Sequence, residues 1–134
     1  MEHEILKKMK VKPEYSSKII NPPEGYPSDA LYFGDGQEDT NTFDFVHLFI
    51  ESKEQFKEFF HQARKSCKPG NLFWLSYPKS KGKIKFDINR DILWDLVAPE
   101  GYHPVAMVSL DDKWSAIRLS ENEEGVIYQR PNKK

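Results

Sequence analysis

The chain has 134 residues, room for one domain, and 20 Lys+Arg stand against 21 Asp+Glu for a formal net charge of -1. That balance lacks the basic excess of a generic nucleic-acid binder, so nucleic acid is not an expected partner. Cys67 alone excludes an internal disulfide, no apolar run nears the ~20 residues a membrane helix needs, and the N-terminal segment has no apolar signal region, so the cytoplasm is the expected compartment.

Apolar residues make up 38% and aromatics 13%, so a core must rest on few, large side chains. Residues 1–13 read as an N-terminal arm, with a short helix over 2–12 that sets Ile5, Leu6 and Met9 on one face until Pro13 stops it. Residues 17–21 form a short strand, closed by Pro22 and Pro23. A loop rich in Gly, Pro, Asp and Thr follows, with one helical turn over 28–33 that packs Ala30, Leu31 and Phe33 inward. Residues 43–50 (FDFVHLFI) are nearly continuously apolar, as in a strand covered on both faces. Ser52 offers an N-cap and Gln55 completes a capping box. The helix then runs to about Ser66, with Phe56, Phe59, Phe60, Ala63 and Cys67 on one stripe.

Residues 72–77 (LFWLSY) make a second buried strand, which closes a right-handed βαβ unit. After Pro78, residues 79–86 are loop, and Asp87 or Asn89 caps a helix with Ile92, Leu93, Leu96 and Val97 buried. Residues 105–110 and 114–119 form an antiparallel hairpin around Asp111, Asp112 and Lys113. Residues 121–134 read as a polar tail or, around 126–128, an edge strand. The expected fold is a single α/β domain over 1–134. Its architecture is a three-layer Rossmann-like sandwich, with a mostly parallel central sheet of about five strands and a C-terminal antiparallel hairpin.

Lys79, Lys81, Lys83 and Lys85 alternate through the loop 78–87 with no acid among them. The loop leaves a strand's carboxyl end, where open α/β sheets bind ligands, and enters a helix N-terminus, which favours anions. With Asn89 and Arg90 the lysines form a candidate anion site; the alternative is a solvated loop that keeps a sheet edge soluble. Arg90 can fork onto a ligand, or pair with Asp112 or a sheet-end carbonyl. Asp111 and Asp112 suit turn chemistry or, less directly, metal binding or acid–base work. Cys67 reads as a buried inert thiol and His47 as a satisfied core histidine. His3, His61 and His103 show no metal-ligand spacing, and there is no GxSxG elbow. No catalytic residue, metal or cofactor is expected.

Two resemblances follow from these elements. The βαβ unit, second helix and hairpin resemble the C-terminal half of a methyltransferase fold; the segment after the first strand, NPPEGYPSDALYFGDGQ, has no GxGxG spacing. By motif, the stretch FWLSYPKSKGKIKFDINRDILWDLVAPEGYHPVAMVSLDDKWSAIRL resembles a bacterial family, domain of unknown function 3052. The matching residues are Tyr77-Pro78-Lys79, Asp87 through Asp91 with Trp94, Gly101, Pro104-Val105, Asp112, Trp114-Ser115-Ala116 and Arg118. That resemblance covers roughly 43–119 and implies a small intracellular bacterial protein without an assigned activity; Tyr77, Pro78, Asp87, Asp91, Trp94, Asp112, Trp114, Ser115 and Arg118 read as structural motif positions. The functional expectation is a non-catalytic module that binds a small anionic ligand or a protein partner through 78–90. A reduced methyltransferase-like enzyme and a structural protein that forms a homodimer stay open as alternatives.

Overall fold

The computed structural model describes residues 3–32, 42–80, 86–126 and 128. Its elements in chain order are α1 (Glu4–Lys8), β1 (Ser17–Ile20), a 3-10 turn (Ser28–Ala30), β2 (Phe43–Phe49), α2 (Lys53–Lys65), β3 (Cys67–Pro78), α3 (Arg90–Val97), a second 3-10 turn (Ala98–Glu100), β4 (Tyr102–Ser109) and β5 (Trp114–Glu121). The chain is a mixed α/β protein around one five-stranded sheet of order β1-β2-β3-β5-β4. β1, β2 and β3 pair in parallel, and β5 runs antiparallel between β3 and β4. The carboxyl ends of β1, β2, β3 and β4 therefore share one end of the sheet.

Alternation along the strands divides the core in two. On one face, Val46, Leu48, Phe73, Leu75, Ile117 and Leu119 pack under α2 and α3, meeting Phe56, Phe60, Leu93 and Val97. On the other, Phe45, Phe49, Trp74, Trp114 and Ala116 pack with Ile5 and Leu6 of α1 and with Met9, its C-cap. The short α1 is nailed to the sheet by the Trp74 indole N–H, which donates to the Met9 carbonyl at 3.0 Å. Helix α2 starts as its sequence dictates: the Ser52 hydroxyl accepts from the Gln55 N–H at 3.1 Å, and Gln55 Oε1 reaches back to the Glu51 N–H at 2.7 Å.

Several details differ from the sequence reading. Cys67 opens β3 rather than closing α2, because Ser66 ends the helix and the strand pairs with Phe43 from its first residue. Only Ser28–Ala30 form the helical turn; Ala30 is exposed and Leu31 half-buried, and Phe33 lies outside the described residues. Val126 and Tyr128 belong to no strand; the Tyr128 ring instead stacks on His103 at 3.7 Å. Lys81, Lys83 and Lys85 lie outside the described residues.

Candidate functional site

Where β3 ends and α3 begins, the chain forms a cleft of about 340 Å³ on the helix-bearing face. Three of the candidates named above, Lys79, Asn89 and Arg90, line it together with Tyr77, Asp91, Met107 and Ser115. The register explains the convergence. Tyr77 lies opposite Ser115, and Ser115 lies opposite Ser109 at the end of β4. Side chains one apart alternate faces, so Tyr77 and Ser115 share the face that α3 covers.

The residues have distinct duties. Asn89, not Asp87, caps α3: its Oδ1 accepts from the Ile92 N–H at 2.8 Å. Asp87 instead accepts from the Lys53 N–H at 3.1 Å, so its carboxylate occupies the N-terminus of α2 and draws the two helix starts together. Lys79 is partly committed. Its N–H donates to the Lys113 carbonyl, and its ammonium to the Asp111 carbonyl at 2.7 Å and to the Ser109 hydroxyl. It thereby clamps the hairpin turn to the end of β3 while keeping positive charge at the cleft. Arg90 pairs with its neighbour Asp91, Nε to Oδ1 at 3.7 Å, rather than with Asp112. Both side chains remain about a third exposed, so this contact is loose and solvent-screened.

Tyr77 closes the back of the cleft, and its hydroxyl donates to Met107 Sδ at 3.5 Å. Burial pushes its phenol pKa up; the Arg90 charge and a Ser115 hydrogen bond pull part of the way back. The phenol is therefore a neutral donor. Its described residues offer a ligand hydroxyl donors and positive charge, beside the Asp91 carboxylate.

The remaining motif positions disperse. Pro78 is buried. Asp111 makes an Asx turn, accepting from the Lys113 and Trp114 N–H groups at 2.8 Å each, and Asp112 is exposed in the same turn. Trp114 packs on the opposite face. Arg118 lines a smaller hollow of about 160 Å³ at the other end of the sheet, with Asn71, Tyr102 and Glu121. Cys67 is half-buried; its Sγ donates to the Ala63 carbonyl at 3.4 Å, and burial pushes the thiol up to about 11. It is held as a thiol and is a poor nucleophile. Among the described residues no three His, Cys, Asp or Glu side chains cluster to hold a metal ion, and no helix is long and apolar enough to cross a membrane.

A second polar group lies on the α1 face. His47 is fully buried between Tyr26, whose hydroxyl is 2.9 Å from Nδ1, and Ser76, whose Oγ is 2.6 Å from Nε2. Burial holds the imidazole down to about 3, so it is neutral. The sequence marked His47 as a core histidine; its partners carried no signal, because Ser76 is found only through the β2–β3 register and Tyr26 reaches the ring from the loop after β1. Met107 was likewise unmarked.

No family model matches the chain, and no curated protein matches it. Among solved structures, the "DhpI-SAH complex structure" is similar over 60% of this chain and 48% of that one, at 9% identity and a TM-score of 0.43. The chain thus spans about half the length of that protein. A likeness this distant carries no argument about function.

Proposed function

We propose that this protein is a non-catalytic module that binds a small anionic ligand in the cleft at the carboxyl end of β3. The observation that carries the reading is the convergence of Arg90, Lys79, the Asn89-capped helix start and the hydroxyls of Tyr77 and Ser115 on one opening. Arg90 supplies planar donors in a fork that suits phosphate or carboxylate. Its loose link to Asp91 is an internal placeholder that a ligand anion displaces. Kinship with the bacterial family of domain of unknown function 3052 is part of this proposal. It is supported by Tyr77, Asp91, Trp94 and Ser115, motif positions that border the cleft. In this reading the protein works in the cytoplasm.

The test is thermal denaturation with inorganic phosphate, pyrophosphate or S-adenosylhomocysteine, on wild type and Arg90→Gln. A ligand that binds only the folded chain raises Tm with concentration. Phosphate or pyrophosphate should raise the wild-type Tm and leave Arg90→Gln unmoved. No response to either anion, or an equal response in the variant, rejects the reading. Stabilisation by S-adenosylhomocysteine alone would move the assignment to the methyltransferase-like alternative.

A further inference from the structure

We infer that the ligand of this cleft is amphiphilic, an anionic group at Arg90 joined to a single aromatic ring seated between Trp94 and Met107. This rests on the anion-binding reading above and names the ligand class for the same site. Directly beside the polar opening lies a second hollow of about 200 Å³. The two share Arg90, Asp91 and Met107, and the second is otherwise walled by Trp94, Pro104, Ala106 and Ile117. Charge and hydroxyls line one half, apolar surface the other. That division matches a ligand with a charged head and an apolar body, not a bare inorganic ion.

The helix sets the spacing. Arg90 and Trp94 stand four apart on α3, so they share a face and are offset by about 6 Å along the axis. Both side chains thus reach the adjoining hollows from one helix, Arg90 bordering both and Trp94 the apolar one. The volume agrees: a cavity of roughly 150 Å³ accommodates benzene, so the apolar half suits one ring. Met107 is 52% exposed, and its thioether is the soft, adaptable partner that aromatic rings favour.

Strand pairing is the competing use of these exposed residues, since β4 is a sheet edge. The edge is blunted against it. Pro104 has no N–H to donate, and the ladder shifts register between Pro104 and Ala106. At its far end the Lys8 ammonium already takes the Ser109 carbonyl at 3.0 Å. Met107 also turns toward the Tyr77 hydroxyl, into the groove.

Isothermal titration of the full chain with inorganic phosphate, phenyl phosphate and phenol tests the inference. Phenyl phosphate should bind about tenfold tighter than phosphate, because the ring leaves water, and phenol should bind weakly. Trp94→Leu and, independently, the exposed-site variant Met107→Gln should each erase the advantage of the ring, with circular dichroism confirming the fold. If phosphate binds and phenyl phosphate binds no tighter, the aromatic half is wrong and the anion site stands. If phenol matches phenyl phosphate, the pairing of head and ring is wrong. If neither phosphate nor phenyl phosphate binds, the anion reading falls and this inference with it.

Discussion

Ser76 and Tyr77 are neighbours on β3, yet they belong to opposite kinds of polar site. Ser76 points to the α1 face and completes a sealed chain of three groups, Tyr26, His47 and Ser76. Tyr77 points to the α3 face and forms the wall of an open cleft. By residue type the sealed site is the more chemical of the two, since a hydroxyl 2.6 Å from an imidazole is how an activated serine begins. Ser76 and His47 are nevertheless fully buried, and no substrate reaches them. A neutral imidazole offers one N–H and one lone pair, so one hydroxyl donates to it and the other accepts. The sealed site is satisfied and structural. The open one keeps Arg90 loosely paired and accessible. Access, more than residue identity, separates them.

The largest effect that would break this contrast is on the sealed side. His47→Ala leaves a cavity and two stranded hydroxyls, and should cost about 3–5 kcal/mol in urea denaturation. A loss below ~1 kcal/mol would show that water already enters there. Acid should act through the same ring. The unfolded imidazole titrates near 6.5 and the folded one only at about 3, so the unfolded state binds the proton first. The stability that neutral His47 contributes is complete above the unfolded value and is lost as pH falls toward the folded one. Relative to a non-titrating His47→Gln chain, wild type should lose about 1.4 kcal/mol per pH unit below pH ~6.5. A difference that stays flat with pH overturns the assignment of a dry, neutral ring.

Smaller effects belong to the open side. Asn89→Ala removes the cap of α3 and should cost about 1 kcal/mol, read as a shift in the urea midpoint. Arg90→Gln should move stability by less than about 0.5 kcal/mol, because its ion pair is a third exposed, while removing anion binding. A large loss of stability in Arg90→Gln would make that arginine structural and erase the contrast with His47.

What could be read from the sequence follows the range of the interactions. The strand at 43–50, the capping box at Ser52 and Gln55, and the stripe of α2 are local, and they stand in the structure. The grouping of Lys79, Asn89 and Arg90 was legible too, because they flank one loop. Strand order was not. β5 inserts between β3 and β4, and only long-range pairing decides this. That insertion carries Ser115 to Tyr77 and sets Met107 against the groove. Asp87 illustrates the same limit: a residue two positions before a helix cap reads as serving that helix, but it serves α2, thirty-four residues earlier in the chain.

The chain's three tryptophans are placed unequally. Trp74 and Trp114 are buried at 2% and 4% exposure, whereas Trp94 is half-buried at the groove. The indoles therefore divide the intrinsic emission of the unlabelled protein into two shielded sources and one that solvent reaches. An aqueous quencher such as iodide should find mainly Trp94, and its quenching should fade as the groove fills. The fold thus carries its own optical gauge of occupancy beside Arg90.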